Sequence, residues 1–228
     1  MRFRTVLIVI FLVLVLDQAL KYWVKTHMYA GQEFNMVGSW FRIHFIENEG
    51  MAYGIEIGGN GGKLMLSIFR LAAVVGGFFL IRKLIREKYH RGLIFCGALI
   101  LAGAMGNLID SLFYGIFFSA SSEFTRNVAS FLPAGGGYAH FLQGRVVDML
   151  YFPLYQGFLP RWVPFWGGHY FIFFQPVFNI ADASISTGVI SIIVFQKSFF
   201  RKRQTMAPAA DSPSPDPVLP AEPQVPEN

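Results

Sequence analysis

The stretch PVFNIADASISTGVISIIVF, residues 176–195, is long and apolar enough to cross a membrane as a helix, but it carries polar side chains near its start. Asp182 lies about 9 Å along such a helix, and Asn179 precedes it by three residues on the same face. An ionised carboxylate at that depth costs several kcal/mol unless a neighbour compensates it. The pair predicts either a polar contact between helices or a catalytic carboxylate, and a catalytic carboxylate needs a partner elsewhere in the chain.

The composition indicates an integral membrane protein. Of 228 residues, 54% are hydrophobic and only 14% are charged. The single cysteine, Cys96, falls inside an apolar run. This excludes a disulfide framework and a zinc cluster of cysteine and histidine.

We predict an all-α membrane protein with four transmembrane helices, a small β-rich extracytoplasmic element and a long outer loop. Apolar runs place the spans at about 5–25, 64–82, 92–111 and 176–195. The outer loops then cover residues 26–63 and 112–175. The membrane domain is predicted at 1–203, and the proline-rich tail at 204–228 is predicted to be a disordered cytoplasmic extension.

The basic residues predict the orientation of these spans. They gather before the first span, between the second and third, and after the fourth: Arg2, Arg4, Arg82, Lys83, Arg86, Lys88, Arg91, Lys197, Arg201, Lys202 and Arg203. By the positive-inside rule both termini are cytoplasmic and both long loops face outward. Because this placement accounts for the net charge of +5, we do not expect a nucleic-acid partner.

The first outer loop contains the predicted β-rich element. Residues 41–45 alternate between apolar and polar side chains, which is typical of a half-buried strand. Residues 47–50 follow as a predicted turn.

Four aspartates, Asp17, Asp110, Asp148 and Asp182, are predicted near one depth at the outer side of the membrane. Two carboxylates that share a site hold one proton between them, as in aspartic peptidases. The four acids alone leave the pair open. Local sequence favours Asp148 and Asp182, which lie in apolar surroundings, whereas Asp17 has Lys21 four residues later on the same helix face.

Five motifs in this order resemble the lipoprotein signal peptidase (signal peptidase II) family. They are Asp17-x-x-x-Lys21, Asn48-Glu49-Gly50-Met51-Ala52-Tyr53-Gly54, Gly103-Ala104-Met105-Gly106-Asn107-Leu108-Ile109-Asp110, Gly144-Arg145-Val146-Val147-Asp148 and Phe178-Asn179-Ile180-Ala181-Asp182. Together with the four spans, the resemblance covers nearly everything from Asp17 to Gly188.

The resemblance implies that Asp148 and Asp182 are the catalytic dyad. It implies a supporting or substrate-binding set of Asp17, Lys21, Asn48, Gly50, Gly54, Asn107, Asp110, Arg145, Asn179 and Ala181. The family removes the signal peptide from a diacylglyceryl-modified prolipoprotein by cutting just before the lipidated cysteine, with no metal and no cofactor. The resemblance implies a bacterial cytoplasmic (inner) membrane protein. We expect a monomer among the membrane lipids, with its active site toward the outer leaflet, where the orientation of the spans places the four aspartates.

The chain departs from the family pattern in two places. Ser111 follows Asp110 where the family usually has an arginine, so Arg145 or Arg70 would have to supply that charge. Residues 116–143 form an insertion between two motifs that are usually almost contiguous.

Two other classes of function stay open from the residues alone. Several aspartates could hold a divalent cation against a phosphate head group, as in a metal-dependent lipid enzyme. The acids could instead be polar contacts between the helices of a non-catalytic scaffold or transporter. The histidines have no metalloprotease spacing, and the chain has no Gly-x-Ser-x-Gly motif for a serine nucleophile.

Overall fold

The computed structural model describes residues 1–49 and 59–200, except for the side chains of residues 59 and 60. Two glycines of the predicted supporting set, Gly50 and Gly54, lie outside the described residues. The predicted tail at 204–228 lies outside them as well, so the division into a membrane domain and a tail stays a prediction.

Four long helices form the bundle, and a short helix follows the third. They are α1 (Phe3–His27), α2 (Gly59–Arg86), α3 (Arg91–Ile109), the short α4 (Gly115–Phe117) and α5 (Ile180–Phe199). The four long helices are long and apolar enough to cross a membrane. This confirms the predicted class of membrane protein.

Helix α3 is the centre of the bundle. Of its apolar span, 56% is buried inside the protein, against 17% or less for each of the other three spans. Small side chains allow this close packing. A Cβ atom added at Gly103 would collide with the carbonyl oxygen of Ala181 on α5, and one added at Gly188 would lie 2.8 Å from the carbonyl oxygen of Cys96.

The two ends of the bundle differ in composition. At the far end, where α1 and α3 begin and α5 ends, an apolar group that we call the far-end cluster fills the interior. It consists of Val6, Ile10, Ile81, Ile94, Ala98, Leu101 and Ala102. At the sheet end, where α1 and α3 end and α5 begins, the helices meet a small sheet. A π-helical turn at Asp110–Tyr114 continues α3 into α4 there.

The chain has six short strands, β1 (Glu33–Val37), β2 (Phe41–Asn48), β3 (Val146–Tyr151), β4 (Tyr155–Phe158), β5 (Tyr170–Phe173) and β6 (Val177–Phe178), within the residues that the structure describes. Four of them form an antiparallel sheet in the order β1-β2-β3-β6, and β4 and β5 form a separate two-stranded sheet. Apolar side chains of β2 and β3, among them Phe45 and Met149, pack against Val24 and Met28 at the end of α1. The sheet is therefore attached directly to the bundle.

Three predicted boundaries were wrong. The turn predicted at residues 47–50 begins too early, because Glu47 and Asn48 pair with β3 as the last residues of β2. Helix α5 begins at Ile180 rather than near residue 176, because β6 pairs with the end of β3. The loop predicted from residue 112 begins later, because the π-helical turn and α4 extend the third helix to Phe117.

Candidate active site

Asp182 lies in the first turn of α5 and belongs to a capping box. Its backbone N–H donates to Oδ1 of Asn179 at 2.9 Å, and the backbone N–H of Asn179 donates to Oδ2 of Asp182 at 3.3 Å. Our prediction of Asp182 about 9 Å inside a helix was therefore wrong, since Asn179 ends the extended segment and caps the helix. The N-terminal end of the helix dipole favours a negative charge at this position.

Asp148 lies on β3 and faces the same asparagine. Its Oδ1 accepts a hydrogen bond from Nδ2 of Asn179 at 2.7 Å, and its Oδ2 accepts one from Nδ2 of Asn48 at 3.3 Å. Asp148 is only 5% exposed. Asn179 therefore contacts both carboxylates that the sequence indicated as a pair.

The pKa of Asp148 is raised to about 7. Burial is the largest cause, since an ionised carboxylate loses its hydration there, and the neighbouring charge of Asp182 raises the pKa further. Hydrogen bonds from Asn48 and Asn179 lower it by a smaller amount. Near neutral pH, Asp148 can therefore hold a proton beside a second carboxylate.

Asn107, on α3, connects this pair to a buried ion pair behind it. Its Nδ2 donates to Oδ1 of Asp182 at 2.7 Å. Its Oδ1 accepts hydrogen bonds from Nζ of Lys21 at 3.0 Å and from Nδ2 of Asn179 at 3.1 Å. The lysine contact fixes which end of the amide faces Asp182, because an ammonium group can only donate.

Lys21 lies between two buried aspartates. Its Nζ is 2.9 Å from Oδ2 of Asp17 and 2.8 Å from Oδ2 of Asp110, and all three side chains are fully buried. Asp17 also accepts the backbone N–H of Ala181 at 2.9 Å, and Asp110 accepts that of Val147 at 3.3 Å. These aspartates therefore hold the first turn of α5 and the start of β3 against α1 and α3.

We call the polar group at this end the sheet-end network. It consists of Asp17, Lys21, Asn107, Asp110, Asp148, Asn179 and Asp182. A further member, which was not predicted from the sequence, is Gln18. Its Nε2 donates to Oδ2 of Asp17 at 3.1 Å and to Oδ1 of Asp110 at 2.9 Å. The sequence feature that could have indicated Gln18 is a polar amide side chain next to Asp17 inside an apolar span.

Arg145 lies at the edge of the site, where it joins the outer segments. Its Nε donates to Oε1 of Glu49 at 2.7 Å, and its Nη1 lies 3.3 Å from Oε2 of Glu47. Burial would raise the pKa of Glu49, but hydrogen bonds from Lys63 and Arg145 hold that pKa below its usual value. Arg145 does not compensate Asp110, since its described ion-pair partners are these glutamates.

Lys25 is a second polar residue of this end that was not predicted from the sequence. Its fully buried ammonium group pairs with Glu47 and donates to Oγ of Ser121 at 3.2 Å. It lies 4.9 Å from the ring centre of Tyr138. Because Ser121 and Tyr138 belong to the inserted segment 116–143, Lys25 attaches that segment to α1 and β2.

The described residues contain no cluster of three or more His, Cys, Asp or Glu side chains arranged to hold a metal ion. At the sheet end, Asp148 and Asp182 accept hydrogen bonds from amide groups. Asp17 and Asp110 form ion pairs with Lys21. The arrangement is that of a membrane helix bundle with two adjacent carboxylates, one of them able to hold a proton at neutral pH. Such a pair of carboxylates can act as general acid and general base in a hydrolysis reaction.

Comparison with known proteins supports this class. A family model described as signal peptidase (SPase) II matches residues 9–198. Relatives named lipoprotein signal peptidase from two Porphyromonas gingivalis strains, ATCC 33277 and W83, are each 50% identical over 192 residues, or 84% of this chain and 82% of the relative. One from Amoebophilus asiaticus is 37% identical over 82% of this chain and 75% of its own length.

Solved structures agree in fold. A bacterial membrane enzyme determined in meso at 2.3 Å superposes with a TM-score of 0.54 and 24% identity, covering 90% of this chain and 96% of that one. A second such structure, at 1.9 Å, gives a TM-score of 0.53 and 25% identity over 85% and 93% of the two chains. On the family match and the 50% identity, the chain belongs to the signal peptidase II family and is a membrane peptidase.

Proposed function

We propose that this chain is the aspartyl endopeptidase that removes the signal peptide from diacylglyceryl-modified prolipoproteins, cutting just before the lipidated cysteine. Family membership and the names of the relatives support this reaction. The observation that carries the catalytic assignment is Asn179, whose side chain contacts Asp148 while its backbone and Oδ1 engage Asp182. One residue thus holds both carboxylates in place.

In the proposed reaction Asp182 is the base and Asp148 is the acid. The helix N-terminus and the Asn107 amide stabilise an ionised Asp182, and the raised pKa of Asp148 keeps its proton available near neutral pH. Asp182 takes a proton from a water molecule as the water oxygen attacks the scissile carbonyl carbon. Asp148 donates its proton to the carbonyl oxygen, which gives a neutral tetrahedral diol.

The second half of the reaction releases the products. The proton on Asp182 passes to the amide nitrogen as the carbon–nitrogen bond breaks, and Asp148 recovers a proton from the diol as the new carboxyl group forms. The lipidated cysteine leaves with a free amino group, and the signal peptide leaves with a carboxyl group. The dyad returns to its starting state with one proton, so no other reactant is needed.

The test is a cleavage assay with purified protein in detergent and one precursor in two forms, with and without the diacylglyceryl group on its cysteine. We expect cleavage of the lipidated form only, with mass spectrometry placing the cut before the modified cysteine. Addition of a chelator should leave the rate unchanged. Equal cleavage of both forms would contradict the substrate class, and loss of activity in the chelator would favour the metal-dependent alternative.

We also propose that the protein lies in the cytoplasmic (inner) membrane, as a monomer surrounded by lipids, with the sheet end toward the outer leaflet. The positive-inside rule supports this orientation, since the basic turns of α2 and α5 lie at the far end. The proposal can be tested with the variants Phe124→Cys and Lys88→Cys, each of which adds one exposed cysteine to native Cys96, which is buried. An impermeant maleimide should label only Phe124→Cys in spheroplasts, and labelling of Lys88→Cys alone would reverse the orientation.

A further inference from the structure

Helix α2 presents a polar stripe to the sheet end. Lys63, Ser67 and Arg70 follow at spacings of four and three residues, so they share one face of the helix. Lys63 pairs with Glu49 at 2.5 Å, and Oγ of Ser67 donates to the carbonyl oxygen of Leu142 at 2.8 Å. These contacts place the start of α2 beside the site. The rest of the helix packs little against the protein, since only 11% of its apolar span is buried.

Arg70, the third member of the stripe, is connected to Asp182 by a short hydrogen-bonded chain. Its Nη1 donates to Oγ of Ser111 at 2.9 Å, and that hydroxyl donates to the carbonyl oxygen of Asn107 at 2.9 Å. The side chain of Asn107 donates to Asp182. Arg70 therefore acts on the same asparagine that orients Asp182.

The charge of Arg70 also acts on the site directly. Its guanidinium interacts electrostatically with the carboxylates of Asp182, Asp110 and Asp148. Lys21 forms its ion pairs with Asp17 and Asp110, and its charge also lowers the pKa of Asp148. A cation inside a membrane-spanning helix is expensive and is usually found where it has a partner or a function. The carboxylate pair is such a partner.

We propose that Arg70 is a positioning residue for peptide hydrolysis, which stabilises the singly ionised Asp148–Asp182 pair and holds Asn107 through Ser111. This inference rests on the proposed function. It gives α2 a part in the reaction. It also explains how an arginine on another helix supplies positive charge next to Ser111.

The test is the pH profile of kcat and KM for cleavage of the lipidated precursor by wild type, Arg70→Gln and Arg70→Lys. Removing the cation makes ionisation of the carboxylate pair less favourable. We expect Arg70→Gln to lower kcat about tenfold and to move the profile to higher pH by about one unit. KM should change by less than about threefold. Arg70→Lys keeps the charge, so its profile should coincide with that of wild type at a kcat between the other two.

Arg82→Gln is the matched control, because Arg82 lies on the same helix at the far end, where it contacts the rings of Phe3 and Phe78. It should leave both the rate and the profile unchanged. A profile for Arg70→Gln that coincides with that of wild type would overturn the inference. If Arg70→Gln does not fold, Arg70→Lys decides, since a shifted profile in that variant contradicts a role for the charge. An inactive wild type would instead contradict the proposed function.

Discussion

The far-end cluster and the sheet-end network are built on the same helices, α1 and α3, but they solve opposite problems. At the far end, Val6 and Ile10 of α1 pack on Ile94 and Ala98 of α3 without any polar group. At the sheet end the same two helices, with the π-helical turn that continues α3, bury Asp17, Lys21, Asn107 and Asp110. The far end needs only complementary shapes, whereas the sheet end also needs a partner for every donor and acceptor.

The sheet end obtains those partners from segments that the bundle alone lacks. The backbone N–H groups of Val147 on β3 and Ala181 on α5 donate to Asp110 and Asp17. Within residues 1–49 and 59–200, no buried side-chain nitrogen or oxygen atom lacks a hydrogen-bond partner. A fully satisfied buried network specifies one arrangement of its members, and a partly satisfied one is costly. We infer that the sheet end specifies the geometry of the site while the far end contributes packing.

The largest effect is expected from Lys21→Met, which leaves Asp17 and Asp110 buried without their cation. Loss of one partner from a buried ion pair costs about 3–5 kcal/mol of unfolding free energy, and cleavage should be lost. Denaturant or thermal unfolding in detergent measures the change. Lys88→Met, at an exposed position, is the control. A loss below about 1 kcal/mol would show that the sheet end is no more demanding than the far end.

The next largest effect is expected from Leu101→Ala in the far-end cluster. Leu101 is 4% exposed, and truncating a buried leucine costs about 2–5 kcal/mol in well-packed proteins. The pH profile of cleavage should stay that of wild type, since no charge near the carboxylates has changed. A shifted profile at equal protein concentration would break the distinction between the two ends.

A smaller effect is expected from Gly103→Ala, which tests the contact of α3 with the start of α5. The added Cβ would collide with the carbonyl oxygen of Ala181, and overpacking costs about 1–3 kcal/mol. The control is Gly76→Ala on α2, where nothing lies within 4 Å of an added Cβ. That variant should be neutral or slightly stabilising. Equal losses of unfolding free energy in the two variants would contradict a close approach of α3 and α5 at Gly103.

The four helices could be predicted from sequence, because a spanning helix needs a long apolar run. The acids of the proposed site could be singled out, because an aspartate is rare in or beside such a run. The start of α5 could not be predicted from hydrophobicity, since Val177 and Phe178 are equally apolar in a strand. Strand β3 was missed for a related reason. Almost all of its side chains are buried, so it lacks the alternation that indicates a half-buried strand.

The contacts between segments could not be predicted from the sequence either. Arg145 and Arg70 were equal candidates to supply charge at Ser111, because nothing local distinguishes them. The structure brings Arg70 to Ser111 and directs Arg145 to two glutamates. Lys21 compensates Asp110. Which cation meets which acid depends on the register of packed helices, which neither composition nor spacing determines.

The smallest effect is expected from Asn48→Ala. The amide of Asn48 donates to Asp148 and lowers its pKa, so its removal should raise that pKa above about 7. Cleavage by wild type should fall above about pH 7 as Asp148 loses its proton, and in Asn48→Ala this fall should move to higher pH by a few tenths of a unit. Because the pKa of Asp148 is about 4 when unfolded, its contribution to stability is lost as pH rises toward 7. A shift to lower pH would contradict this sign.

The central claim is that Asp148 and Asp182 carry the reaction together. The most direct test is the initial rate of cleavage of the lipidated precursor by Asp148→Asn and Asp182→Asn, measured on protein shown to be folded. The control is Glu33→Gln, which changes a carboxylate paired with Arg42 outside the site. We predict that each aspartate variant loses activity by at least about a thousandfold and that the control keeps the wild-type rate. Substantial cleavage by either folded aspartate variant would contradict the claim.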